Sequence, residues 1–187
     1  MSTNVLVLVG SLRDASVNRQ IAQLAVESVP EGAQATLFEG LADVPFYNED
    51  IDTPDADIPA VNALRAAGND ADAFLLVTPE YNGTIPAVLK NAIDWLSRPY
   101  GAGAVSGKPV AVVSASPSSN GAQWAHEDTR KAAKIAGGRV LEDVTLTIGG
   151  TGDKFGDRHP RENEEAAAQV ADVVRTLVDA TRELATV

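Results

Sequence analysis

Short apolar runs alternate with amphipathic segments along most of this chain, and that alternation limits the possible folds more than any single motif does. Runs rich in Val, Leu and Phe occupy residues 5–9, 35–38, 73–77, 110–114 and 140–148. The first is near-continuous, which suits a strand buried on both faces. Between the runs, Ile21, Leu24, Ala25 and Ser28 recur at helical spacing, and Val61, Leu64 and Ala67 follow Pro59. Val88, Leu89, Ala92, Ile93 and Leu96 make a third stripe behind Pro86, whose missing N–H costs little in a first turn. Residues 122–136 predict a fourth helix, stopped by Gly137 and Gly138. Residues 162–184 predict a long fifth helix carrying Ala166, Val170, Val173, Val174, Leu177 and Val178.

Strands that alternate with helices pair in parallel, through right-handed crossovers that place helices on both faces. The expected fold is therefore α/β: a flavodoxin-like, doubly wound sheet of five parallel strands in the order 2-1-3-4-5. A single domain over residues 1–187 is expected, with no repeat, low-complexity tract or dividing linker. Residues 40–58 and the glycine-rich 149–160 are the expected mobile parts. Ligands of such sheets gather at the carboxyl ends of the strands, where the connection direction reverses. That rule brings together the loops 10–18, 78–85 and 114–121.

Charge and composition narrow the ligand. The formal charge of −11 argues against nucleic acid and anionic lipid, which demand a basic surface. No apolar stretch is long enough to span a membrane, and no basic flank precedes the first apolar run, so a cytoplasmic protein is expected. The absence of cysteine removes disulfides, thiolate catalysis, iron–sulfur clusters and cysteine zinc sites.

In so acidic a chain, a local cluster of anion-directed donors stands out, and GSLRDASVN at 10–18 is one. A helix N-terminus leaves N–H groups unpaired and carries partial positive charge. Around it, Ser11 and Ser16 add hydroxyls, Asn18 an amide and Arg13 a full charge. The loop lacks the Gly-Lys-Ser/Thr of a nucleotide P-loop and the further glycines of a dinucleotide fingerprint. Side-chain donors around one helix end suit a single phosphomonoester. The alternative is that Ser16 and Asn18 only cap the helix, with Arg13 solvated. GGTGDKFG at 149–156 follows the wrong strand and is expected to be a flexible loop.

The stretch TPEYNGTIPAVLKNAIDWLSR at 78–98 is more specific. Pro79 biases Thr78 toward an extended conformation, Asn82 and Gly83 tolerate positive φ, and Pro86 opens the next helix. The result is a tight turn carrying Glu80, Tyr81 and Asn82 outward. An exposed tyrosine beside free amides suits a planar heteroaromatic ring, although such a turn can also be plain scaffold. Trp95, behind it, is expected in the core.

With both stretches in view, the chain resembles the NADPH-dependent FMN reductase family, which includes flavodoxin-fold quinone and chromate reductases. GSLRDASVNR at 10–19 and the 78–98 stretch carry the likeness. DVPFYNED at 43–50 and GKPVAVVSASP at 107–117 add weaker support, over roughly residues 4–150 in all. The resemblance implies FMN as cofactor and NADPH or NADH as co-substrate. It assigns the FMN phosphate to Ser11, Arg13, Ser16 and Asn18, and the isoalloxazine border to Pro79, Glu80, Tyr81, Asn82 and Gly83. The loop after the fourth strand, from Ser114 and Ser116 to Gly121, falls against the ring's other edge. There SPSSNGAQ has one glycine where relatives often show a Gly-Gly pair. Homodimers or homotetramers are implied, with 43–50 near the partner subunit.

The implied activity passes hydride and electrons from NAD(P)H through bound FMN to quinones or other small acceptors. The chemistry is then the flavin's, and no side chain is needed as nucleophile or metal ligand. One alternative is a reductase that releases reduced FMN to a partner monooxygenase; another is a non-enzymatic flavodoxin-type electron carrier. A receiver domain on the same topology would need a phosphoaccepting Asp at the strand ends, where Val9 and Val77 stand. His126 and His159 are expected to be ordinary surface residues, and DRHPRE at 157–162 a solvated basic loop.

Overall fold

The first strand, β1 (Thr3–Val9), sets the layering of the fold in a computed structural model that describes residues 2–185. Side chains along a strand alternate between its faces. Val5, Val7 and Val9 therefore enter one apolar layer, and Leu6 and Leu8 the other. The chain continues through α1 (Val17–Glu27), β2 (Ala33–Leu37) and two short 3-10 turns, Leu41–Asp43 and Glu49–Ile51. Then come α2 (Pro59–Asp70), β3 (Ala73–Thr78), α3 (Ala87–Leu96), β4 (Pro109–Ala115) and α4 (Gln123–Ile135). Last are β5 (Arg139–Val140), β6 (Leu146–Ile148), α5 (Thr151–Phe155), a 3-10 turn at Pro160–Glu162, and α6 (Glu164–Ala185).

The strands pair in parallel in the predicted order, β2-β1-β3-β4-β5, with β6 also on β4. Helices α1 and α6 cover the face of Val5, Val7 and Val9. Helices α2, α3 and α4 cover the face of Leu6 and Leu8, where Trp95 is fully buried as expected. Strands β3 and β4 are buried along their whole length, while β2 alternates between half-buried and exposed residues as an edge strand should. Among the described residues no helix is long and apolar enough to cross a membrane.

Two expectations need correction. The run at 140–148 does not form one strand, because a turn separates β5 from β6, with Val144 N–H donating to Leu141 O at 3.2 Å. Glu142 and Asp143 lie in that turn and keep their carboxylates in solvent. The carbonyls freed there are met by Arg130 of α4, which donates to Leu141 O (3.0 Å), Val144 O (2.7 Å) and Glu142 O (3.1 Å).

The second correction concerns 149–156, expected to be a flexible loop; 40–58, the other segment expected to be mobile, also carries defined turns. Residues 40–58 contain both early 3-10 turns, and Arg65 holds Asp52 by a bidentate pair at 2.9 Å. Residues 149–160 contain α5 and are packed. A Cβ on Gly149 would lie 2.4 Å from Ser119 O, and one on Gly121 would lie 3.0 Å from Gly149 N. These glycines let two backbones pass in contact, fastened by Gly150 N–H to Ser118 O at 3.0 Å.

Candidate functional site

At the carboxyl ends of β1, β3 and β4, the loops 10–18, 78–85 and 114–121 border a cleft of about 440 Å³. Its polar end is built on α1. Ser16 is the N-cap residue, its backbone extended, and its side chain makes no capping bond. The first turn of α1 holds no acidic residue, so no carboxylate of the helix itself offsets its N–H groups and dipole. Ser11 and Ser16 are 4% and 1% exposed, and among the described residues neither hydroxyl has a protein partner. Both hydroxyl oxygens stay accessible from the cleft, where a ligand oxygen can pair with them. Arg13 is exposed beside them and joins no ion pair among the described residues.

Asn18 lines the cleft and also makes an internal contact. Its Nδ2 donates to Ala115 O at 3.0 Å, tying α1 to the end of β4, and its buried Oδ1 has no partner. One N–H of the amide remains for the cleft that the residue lines.

The turn after β3 is as tight as its sequence requires. Asn82 and Gly83 take φ of 52° and 76°, and Tyr81 and Thr84 exchange both backbone hydrogen bonds at 3.2 Å. Pro79, Glu80 and Tyr81 line the cleft, with Tyr81 48% exposed. Helix α4 braces this turn from behind. Glu80 accepts from Ala125 N–H at 3.2 Å, and Thr84 donates to Asp128 at 2.6 Å. A Cβ on Gly83 would meet the Trp124 ring at 3.3 Å. Glu80 thus satisfies a free donor in the first turn of α4.

Ser114 does not reach the cleft. It is fully buried and donates to Gly121 O at 2.7 Å, which closes its own loop. Ser116 does line the cleft, its hydroxyl 2.6 Å from that of Ser118.

A fourth wall was not anticipated. Thr151, Phe155 and Arg158 line the cleft from the segment that follows β6. Its sequence signal was the Gly149-Gly150 pair, which marks close backbone approach as readily as flexibility. Arg158 is exposed, and like Arg13 it has no ion pair among the described residues. Asp157 lines the same side. The rest of the basic stretch is engaged: Arg161 pairs with Glu27 at 3.1 Å.

His126 departs from expectation and His159 does not. His126 is 3% exposed, with neither ring nitrogen hydrogen-bonded. Burial, seconded by Arg130, pushes its pKa down to about 4. His159 caps the Pro160–Glu162 turn by accepting from Arg161 N–H at 3.1 Å, and burial followed by Arg161 lowers its pKa. Neither histidine lines the cleft.

Beside the cleft, and sharing Arg13 and Tyr81 with it, lies an apolar shelf of about 720 Å³. Leu12, Phe46, Pro86 and Val88 form much of it. Leu12 and Phe46 are 59% and 76% exposed, unusual for large apolar side chains.

A phosphomonoester fits the polar end, where the Ser11 and Ser16 hydroxyls, the start of α1 and the guanidinium groups of Arg13 and Arg158 line one cleft in an acidic chain. A flat ring fits the Tyr81 side. Comparison with known proteins identifies the family. The family model described as NADPH-dependent FMN reductase matches residues 3–153. A quinone reductase of Pseudomonas putida is 40% identical over 154 residues, 82% of each chain. An NAD(P)H-dependent FMN reductase of Pseudomonas aeruginosa is 45% identical over 112 residues, covering 60% of this chain and 59% of its own. The solved structure of the flavoenzyme NAD(P)H:(acceptor) oxidoreductase FerB from Paracoccus denitrificans superposes with a TM-score of 0.82. It is 30% identical and covers 97% of this chain and 98% of its own.

Proposed function

The chain belongs to the NADPH-dependent FMN reductase family, and on that premise we propose that the 440 Å³ cleft holds FMN while the apolar shelf takes the electron acceptor. The protein is an NAD(P)H-dependent flavoprotein oxidoreductase of the quinone reductase type. One observation carries the placement of the cofactor: Ser11 and Ser16 present hydroxyls without protein partners to the cleft, at a helix start with no acidic residue in its first turn.

Ser11, Ser16, the first N–H groups of α1 and Arg13 hold the phosphate, with Asn18 steadying that end from Ala115. The Pro79–Gly83 turn borders the ring, and its bracing by α4 fixes the orientation. Ser116 closes the other edge, and Ser114 supports that loop from within. Bound flavin supplies the hydride and electron chemistry; the residues supply binding, orientation and electrostatics. Overall, NAD(P)H, one proton and a quinone give NAD(P)+ and a hydroquinone. No side chain forms a bond to substrate. The reaction is placed in the cytoplasm, where reduced nicotinamide is regenerated. Tyr100 and Ile135, 90% and 76% exposed on a groove between α3 and α4, support a homodimer or homotetramer.

The test is a visible spectrum of the purified protein, followed by anaerobic NADPH. A yellow protein that bleaches and regains colour with menadione is expected. A protein that binds no added FMN overturns the proposal. The exposed positions of Arg13 and Arg158 favour a second reading, in which FMN exchanges and leaves reduced for a partner monooxygenase. Flavin lost on desalting would select it.

A further inference from the structure

The segment forming the outer wall of the apolar shelf is held by two side chains of α3, Asn91 and Trp95, neither of which lines the flavin cleft. Asn91 is 7% exposed, and both its polar atoms are used on that segment. Its Oδ1 accepts from Tyr47 N–H at 2.8 Å, and its Nδ2 donates to Pro45 O at 2.9 Å and to Val44 O at 3.3 Å. One turn later on the same helix face, Trp95 Nε1 donates to Pro45 O at 2.7 Å. The Tyr47 ring meets Trp95 edge-on, with centroids 4.9 Å apart. Phe46 sits between these two tethered residues, and its ring is left exposed at the shelf. Tethers on both sides of Phe46 restrict the backbone conformations from which its ring projects, so the ring samples fewer positions over the shelf.

We propose that Asn91 is a positioning residue for the electron acceptor: by fixing residues 44–47 it sets Phe46 as the wall against which a flat apolar acceptor packs. The inference rests on the assignment of the shelf above. It excludes a purely structural role, in which Asn91 would matter to the stability of α3 and to nothing else. It also predicts that acceptors which need no shelf are indifferent to Asn91.

The experiment uses Asn91→Ala and the similar-sized Asn91→Leu in the flavin-loaded protein, with two acceptors. Menadione is flat and apolar, and takes two electrons and two protons to become its hydroquinone. Ferricyanide is a small anion; two of them take one electron each per NAD(P)H, whose oxidation releases one proton to solvent. The KM for menadione should rise about tenfold in both variants, with kcat, retained FMN and ferricyanide turnover unchanged. Independently of turnover, hydrogen exchange at the Tyr47 amide should accelerate in both. Val170→Ala, a core truncation on the opposite face of the sheet, should lower the thermal midpoint without moving the menadione KM. An unchanged menadione KM in the Asn91 variants overturns the proposal, as does a loss shared equally by ferricyanide. A wild-type protein that holds no flavin fails earlier, at the cofactor reading, and takes this proposal with it.

Discussion

Arg13 stands in solvent with no acidic partner among the described residues, so its removal costs the fold little and a bound anion much. Arg13→Ala should weaken FMN binding by about tenfold, as loss of a charge-assisted hydrogen bond does, with the thermal midpoint unchanged. Fluorescence titration of the apoprotein with FMN measures this, and equal affinity would remove Arg13 from the phosphate site. His126 acts on stability instead. Its folded pKa is depressed from 6.5 to about 4, so the unfolded chain takes up a proton that the folded chain refuses. Stability is fully present above pH 6.5 and is lost as pH falls toward 4. From pH 7 to pH 5 the loss should be about 1–2 kcal/mol. Urea midpoints at both pH values should show it in wild type and show less of it in His126→Leu. At this scale the donors Ser11, Ser16 and Arg13 could be read directly, because they follow the strand that delivers them. Ser114 and Glu80 could not, since their partners Gly121 and Ala125 are brought near by the fold.

Elements were legible wherever one period dominated. The near-continuous apolar run of residues 5–9 and the helical stripes of α3 and α6 announced themselves. The split between β5 and β6 did not, because strands of two and three residues are set by what covers them, here Arg130 reaching across from α4. The same holds for α5, which is too short to have a period. Gly149→Ala tests that segment: the new methyl would lie 2.4 Å from Ser119 O and must push two backbones apart. It should destabilise by about 1–3 kcal/mol and weaken FMN binding, because Thr151, Phe155 and Ser116 shift together. A variant with wild-type urea midpoint and FMN affinity would show that the two segments are not in contact in solution.

Across the whole molecule, the groove between α3 and α4 is the candidate for self-association, and Ile135→Glu should break it. Light scattering should give an oligomer for wild type and a monomer for the variant, with FMN still bound. Equal masses would place the interface elsewhere. The amino-acid sequence by itself determined the alternation of strand and helix, hence the parallel order, the loop ends where ligands gather and the donors on the first of them. These depend on neighbours close along the chain, whose spacing is covalent. Only the tertiary structure decided which polar atoms stay free for a ligand and which are consumed internally, that α4 braces the Tyr81 turn, and that residues 149–158 wall the cleft. Those outcomes depend on which distant backbones approach within hydrogen-bonding distance, and packing of the two apolar layers settles that.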